Sequence, residues 1–79
     1  MKAKVTITLK TGLLDAQGKG IRSALASLGF KGVRDVRVGK YLEIELNGAT
    51  AAAARQAVER MCQKLLANPV IETYRIDLR

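Results

Sequence analysis

The apolar residues of this chain recur with two different periods, and the order of those periods limits the fold more than any other feature. Residues 2–10 alternate between apolar and polar side chains, as do residues 33–38, 41–46 and 70–78. A period of two predicts a strand with one buried face. The intervening stretches place apolar residues three and four apart, which predicts helices; these positions are Ile21, Ala24, Leu25 and Leu28, then Ala54, Val58, Met61, Cys62 and Leu65.

The ends of these elements carry residues suited to helix caps and turns. Asp15 and Thr50 can accept hydrogen bonds from the free amides of a first helical turn, which predicts a helix start after each. Gly29 suits a helix end because glycine adopts a positive φ freely. Asn68-Pro69 should end the second helix, since proline disfavours the helical conformation of the residue before it. Gly39-Lys40 is predicted to form a hairpin turn.

The resulting order, β-α-β-β-α-β, predicts an α+β fold of the ferredoxin-like type. We expect a single domain over residues 1–79, with a four-stranded antiparallel sheet and both helices on one face. A chain of 79 residues has a small core, so association with a second copy would help to stabilise it. Tyr41 and Ile71 lie on the otherwise polar outward face of the predicted sheet, and we assign them to an oligomer interface.

The residue types that are absent limit the chemistry. The chain has no histidine and one cysteine, which excludes a Ser-His triad, a histidine general base and a zinc site built by this chain alone. The spacing of the acidic residues matches no calcium loop. We therefore predict no catalytic residue and no metal site. Cys62 lies on an apolar helical stripe and is predicted to be a core residue; a lone cysteine suits a reducing cytoplasm.

The formal net charge is +7 and is carried by residues 1–40. It suggests an acidic partner, either nucleic acid or an acidic protein surface, with a solubilising surface as an equal alternative. The open sheet face argues against RNA, because Tyr41 is its single aromatic residue and Glu43 and Glu45 would repel phosphate. A nucleic-acid-binding or ligand-sensing module of the same fold remains the alternative function. No apolar stretch is long enough to span a membrane, and we expect no signal peptide.

Three blocks of sequence resemble the signatures of the PurS family. They are residues 9–18 (LKTGLLDAQG), residues 36–40 (VRVGK) and residues 61–72 (MCQKLLANPVIE), the last followed by Tyr74. The resemblance covers essentially the whole chain, and the third block is the most specific. Ala16 departs from the family pattern, which has proline there; proline would stiffen the first turn of the helix.

The resemblance implies a non-catalytic subunit of phosphoribosylformylglycinamidine (FGAM) synthase, in purine biosynthesis. Such a subunit bridges a PurQ-type glutaminase, which releases ammonia, and a PurL-type synthetase, which consumes it, and it assists ammonia transfer. The complex uses ATP, Mg and glutamine, none of them bound by this chain. The resemblance further implies a cytoplasmic protein that forms a homodimer or a dimer of dimers.

The signature positions at loops and element ends are the candidate contacts with the partner subunits, because binding groups usually lie there on a rigid scaffold. Several also have a structural interpretation as a cap, a turn or a helix stop. Arg37 and Lys40 have no evident structural role, so we expect them to be surface residues that report on binding. The candidate positions are Asp15, Gln17, Gly18, Arg37, Gly39, Lys40, Asn68, Pro69 and Glu72.

Overall fold

The computed structural model describes residues 1–48 and 50–79. Its elements follow in the order β1 (Lys2–Leu9), α1 (Ala16–Ser27), β2 (Gly39–Glu45), α2 (Ala51–Met61) and β3 (Glu72–Leu78), with a π-helical turn (Cys62–Leu66) directly after α2. The α+β class is confirmed. Within the described residues the sheet has three antiparallel strands in the order β2-β1-β3, so the prediction of four strands is wrong.

The alternation in β1 builds the centre of the core. Ala3, Val5 and Ile7 are fully buried on one face of the central strand, opposite Ile44, Leu42 and Lys40 of β2 and Leu78, Ile76 and Tyr74 of β3. The helix α2 packs across β1 and β3, and Val58 of α2 and Cys62 of the π-helical turn are buried in the same core cluster. Leu42 and Ile44 of β2, and Leu46 directly after that strand, are only half-buried.

Both predicted helix caps are confirmed. The Asp15 side chain accepts from the Gly18 amide at 2.8 Å, and Thr50 Oγ1 accepts from the Ala53 amide at 3.2 Å. At the end of α1, Gly29 has φ +95°, and the amides of Phe30 and Gly29 donate to the carbonyls of Leu25 and Ala26. This is the Schellman arrangement, which only a residue tolerant of positive φ completes at low cost.

The placement of α1 differs from the prediction that both helices cover one face of the sheet. None of its apolar side chains belongs to the core. Ile21 is 45% exposed and Leu28 73% exposed. The helix has the predicted apolar stripe, but α1 makes no extensive contact with another helix or strand of the described chain.

Residues 33–38 do not form the predicted strand either. A two-residue hairpin at Gly39-Lys40 needs positive φ at one or both turn residues, and neither residue has it. Gly39 is instead the first residue of β2, paired with Thr8. The chain therefore enters β2 without folding back, and residues 33–38 remain beside α1. The last strand also starts at Glu72 and not at Val70, because residues 68–71 form a turn.

Candidate functional site

The nine candidate partner-contact residues converge at one end of the sheet. That end is formed by the last residue of β1 and the first residues of β2 and β3, and the N-terminus of α1 lies against it. A cleft of about 210 Å³ there is lined by Asp15, Gln17, Gly39, Lys40 and Glu72, together with Ile7, Thr8, Leu9 and Val38. The three signature blocks, far apart along the chain, thus meet at one place, which we call the signature end.

Asp15 connects the start of α1 to the segment that enters β2. One carboxylate oxygen accepts from the Gly18 amide at 2.8 Å and the other from the Val38 amide at 2.7 Å. These hydrogen bonds, first that from Val38 and then that from Gly18, hold the pKa of Asp15 below its ordinary value of 3.8, because they favour the charged form. Asp15 therefore caps α1 and also links the start of α1 to the segment that enters β2.

Gly18 is buried because the backbone of Val36 lies directly on it. A β-carbon at this position would overlap the Val36 carbonyl group. Gly18 and Asp15 together explain why residues 36–38 run along the first turn of α1. The sequence interpretation of Gly18 as a possible partner contact gave no sign of this role, because the contacting group is a backbone carbonyl and has no side-chain signal.

Arg37 has a structural role that the sequence did not suggest. Its Nη2 donates to the Leu9 carbonyl oxygen at 2.8 Å and lies 3.4 Å from that of Lys10. Its Nε lies 3.9 Å from Asp15 Oδ2. The guanidinium thus joins the end of β1 to the Asp15 cap. The expectation that Arg37 lacks a structural role is wrong, and Lys40, an exposed residue, is the better reporter of binding.

Glycine is required at position 39 because β1 lies close to it, and not because this position forms a turn. A β-carbon there would lie 2.5 Å from the Ile7 carbonyl oxygen and 2.8 Å from Thr8 Cγ2, far inside van der Waals contact. The glycine lets the first residue of β2 meet β1 at the mouth of the cleft. Lys40 follows it in the strand, opposite Ile7.

The end of the third block, residues 68–72, forms a turn closed by its own side chains. The Asn68 amide donates to Glu72 Oε1 at 2.7 Å, and the Val70 amide donates to Asn68 Oδ1 at 3.1 Å. The Glu72 amide returns a bond to the Asn68 carbonyl at 2.7 Å. Pro69 sits inside this turn. The closed turn exposes Val70 and Ile71 and lies beside Lys10, whose amide donates to the Ile71 carbonyl.

A second cleft, of about 360 Å³, lies beside the first turn of α1. Lys19 and Arg37 line it together with Asp15 and Asp35. Two carboxylates offset the two cations, so the cleft lacks the positive potential that a phosphate site requires. The helix start here is already occupied by its own capping carboxylate.

The two residues assigned to an oligomer interface, Tyr41 and Ile71, are exposed by 56% and 40%. The Tyr41 hydroxyl donates to Glu43 Oε2 at 2.8 Å, and Glu43 also pairs with Lys2 at 3.4 Å. The Tyr41 hydrogen bond raises the pKa of Tyr41 and lowers that of Glu43. This face of the sheet is occupied by paired charges, and its assignment to an interface stays a prediction.

The described part of the chain offers little for acid–base or metal chemistry. Within it no three His, Cys, Asp or Glu side chains come together as a metal site would require. Cys62 is fully buried, and burial raises the pKa of its thiol, which suits a core residue and not a nucleophile. Across residues 1–48 and 50–79, no helix is long and apolar enough to cross a membrane.

Comparisons with known proteins agree on one family. The model of the PurS family, described as phosphoribosylformylglycinamidine (FGAM) synthase, matches residues 2–79. The phosphoribosylformylglycinamidine synthase subunit PurS of Methanocaldococcus jannaschii is 45% identical over 77 residues, which covers 98% of this chain and 93% of that protein. The corresponding subunit of Bacillus subtilis is 43% identical, over 98% and 90% of the two chains.

Solved structures give the same result for the fold. The crystal structure of the Methanocaldococcus jannaschii PurS superposes with a TM-score of 0.88 at 43% identity, covering 96% of this chain and 92% of that chain. A chain in the structure of PurLQS from Thermotoga maritima also superposes with a TM-score of 0.88, at 26% identity and over 96% and 93% of the two chains.

Proposed function

Since this chain belongs to the PurS family of FGAM synthase subunits, we propose that it holds the glutaminase and synthetase subunits of that enzyme in a fixed relation. FGAM synthase converts formylglycinamide ribonucleotide (FGAR) to FGAM in purine biosynthesis. The Thermotoga maritima PurLQS structure supports PurL-type and PurQ-type partners. The proposal includes a cytoplasmic location for the assembly.

The convergence of the three signature blocks at one end of the sheet carries this proposal. Five of the nine candidate residues line one cleft, although they come from three separate parts of the chain; they are Asp15, Gln17, Gly39, Lys40 and Glu72. Their backbone is held rigidly by the Asp15, Arg37 and Glu72 hydrogen bonds. A hydrogen-bonded edge that carries polar side chains together with the exposed Val70 and Ile71 suits docking against a larger protein.

The benefit of docking follows from the chemistry of the transferred molecule. Ammonia released into water at neutral pH is mostly protonated and loses the lone pair that it needs to attack. Two active sites in fixed relation replace diffusion through bulk water by a local transfer, as in any gain of effective concentration. We assign ATP, Mg and glutamine to the other subunits, which leaves this chain the task of positioning them.

Lys40 provides the sharpest test of the signature end. We expect Lys40→Glu to weaken a complex with a PurL-type and a PurQ-type subunit, because it reverses an exposed charge beside the cleft. Arg79→Glu makes the same charge change at the opposite end of the sheet, where Arg79 and Lys2 bond to each other, and is the matched control. Size-exclusion chromatography of the three-component mixture measures the complex.

Assays of FGAM synthesis distinguish a loss of docking from a loss of the synthetase reaction. With glutamine as nitrogen source, Lys40→Glu should lower FGAM synthesis; with an ammonium salt as nitrogen source, synthesis should be unchanged. A wild-type chain that never elutes with the two subunits contradicts the proposed function. A Lys40→Glu chain that melts normally, binds fully and supports glutamine-dependent synthesis shows that the docking surface lies elsewhere.

Two other results would favour the alternative functions. Salt-sensitive binding to an oligonucleotide would favour a nucleic-acid-binding module. A shift in melting temperature caused by a small molecule, without the large subunits, would favour a ligand-sensing module.

A further inference from the structure

A groove between the later turns of α1 and the loop that follows this helix carries unopposed positive charge. Its volume is about 290 Å³, and its lining includes Arg22, Ser23, Phe30, Lys31 and Gly32. Two of the lining residues are cations, and none is acidic. The cleft beside the first turn of α1 is unsuited to phosphate because two carboxylates offset its cations. This second groove, which we call the basic groove, has no such offset.

The two cations of the basic groove are not neutralised from elsewhere in the described chain. The ion pairs that form within residues 1–48 and 50–79 join other side chains, so neither Arg22 nor Lys31 has a carboxylate partner. The surrounding segment strengthens the positive potential. Residues 16–38 contain five basic residues and one acidic residue, a net charge of +4 out of +7 for the chain. A field of this kind raises the local concentration of anions.

The Arg22 guanidinium is held at the wall of the groove. Its Nε donates to the Val33 carbonyl oxygen at 3.2 Å. This bond fixes the plane of the guanidinium and uses one of its five N–H donors. The two terminal nitrogens remain for an anion, in the fork geometry that suits phosphate oxygens. The Ser23 hydroxyl and the Lys31 ammonium group are further donors on the same lining.

The loop backbone supplies additional donors. The amides of Lys31, Gly32 and Val33, all on the lining, have no hydrogen-bond partner in the part of the chain that the structure describes. Gly32 has φ +92°, a left-handed conformation that glycine adopts freely. Successive free amides around such a residue form the concave backbone sites that bind anions. The groove thus combines side-chain charge with main-chain donors.

Phe30 gives the groove an aromatic surface. Its side chain is 58% exposed although it lies on the lining with the two cations. An exposed ring beside a positive site offers a planar base a surface on which to stack. The lining contains no carboxylate that could hold the Mg²⁺ that accompanies a nucleoside triphosphate. Two cations instead match the charge of a single phosphate ester group.

We propose that the basic groove binds a nucleoside monophosphate. Arg22, Lys31 and the free amides of the loop hold the phosphate, and the base stacks on Phe30. The volume of about 290 Å³ is near the lower bound for small-molecule sites, which favours a mononucleotide over a larger ligand. None of the nine candidate partner contacts lines this groove, so the proposal does not depend on the proposed function.

An NMR titration of the isotope-labelled full chain tests the site, with adenosine monophosphate (AMP), ribose phosphate and adenosine as probes. We expect AMP to bind with a dissociation constant of about 1 mM or below and to shift amide signals of residues 22–33. Ribose phosphate should bind about tenfold more weakly, because it lacks the stacking base, and adenosine should not bind measurably. No AMP-dependent shift up to about 10 mM, or shifts centred on the signature end, would overturn the proposal.

The titration is independent of assembly with the large subunits. Chromatography with a PurL-type and a PurQ-type subunit measures that assembly separately. If the chain binds AMP and also enters the complex, it is a subunit that carries a ligand site. If it binds AMP and never enters the complex, the ligand-sensing alternative is favoured. The basic groove is supported in both cases.

Matched variants test the residues. Arg22→Gln and Lys31→Gln should each weaken AMP binding about tenfold, whereas Arg60→Gln, at an exposed arginine of α2, should change it less than about twofold. Phe30→Leu should remove the preference for AMP over ribose phosphate. Wild-type affinity in Lys31→Gln, or an equal loss in Arg60→Gln, overturns the proposal. Lys31→Gln decides alone if Arg22→Gln, which loses its bond to the Val33 carbonyl, fails to fold.

Discussion

Gly18 meets Val36 backbone to backbone, at a separation that leaves no room for a side chain. This contact connects the first turn of α1 to the segment entering β2, and the Asp15 carboxylate closes the same junction from the other side. The signature end is therefore built mainly from main-chain groups. At Gly18 and Gly39, for example, the neighbouring backbone leaves no space for a β-carbon.

Gly18→Ala should lower the free energy of unfolding by about 2 kcal/mol, in the range of overpacked sites. The new methyl group would displace the Val36 carbonyl, a backbone group that cannot rotate away as a side chain can. Gly20→Ala is the matched control, because nothing lies within 4 Å of a β-carbon there. That change should stabilise α1 by up to about 1 kcal/mol. Urea unfolding followed by circular dichroism measures both, and equal stabilities would contradict the Val36 contact.

The Asp15 carboxylate should make stability depend on pH in the acid range. Its folded pKa lies below the ordinary value of 3.8, so the charged form contributes stability above that value. The contribution is lost as the pH falls through the lowered pKa of the folded state. Asp15→Asn should reduce stability at neutral pH and flatten its decline below about pH 4. Urea unfolding across a pH series measures this, with Asp77→Asn, in β3 at the opposite end of the sheet, as the control. A decline as steep in Asp15→Asn as in the wild type would contradict it.

We expect Arg37 to contribute to the stability of the fold and Lys40 to contribute to partner binding, so substitutions of the two residues should differ in their effect on stability. Arg37→Ala removes the bond to the Leu9 carbonyl and should cost about 1 kcal/mol. Lys40→Ala should stay within about 0.5 kcal/mol of the wild type, as exposed substitutions usually do. Thermal melts of the two variants compare them directly. Identical melting temperatures for Arg37→Ala and the wild type would show that the guanidinium bonds contribute no net stability.

Cys62 should behave as a core residue in chemical labelling. Its thiol is fully buried and its pKa is raised, so a thiol-reactive probe should modify it only as fast as the core opens. Denatured chain should react at once. Cys62→Ser should destabilise the fold by about 1–3 kcal/mol, because it buries a hydroxyl in an apolar site. Rapid labelling of the native chain would place the thiol at the surface.

Apart from the strand expected at residues 33–38, the predicted helices and strands are present, because their signals are local. The alternation in residues 2–10, the caps at Asp15 and Thr50, the Gly29 helix end and the Asn68-Pro69 stop depend on residues a few positions apart. The candidate partner contacts were chosen because the signature residues lie at element ends, and their role in binding stays a prediction. Burial of Cys62 followed from its place on the apolar stripe of α2.

The tertiary structure alone decided where α1 and residues 33–38 go. The apolar stripe of Ile21 and Leu28 indicates that α1 packs against an apolar surface, but the sequence does not indicate which surface that is. Gly39 illustrates the same limit: its sequence context suggested a turn, whereas its role is to let β2 approach the Ile7 carbonyl. Contacts of this kind are made by backbone atoms of residues that are distant in the chain. Backbone atoms are the same in every residue, so such contacts leave no pattern in the sequence.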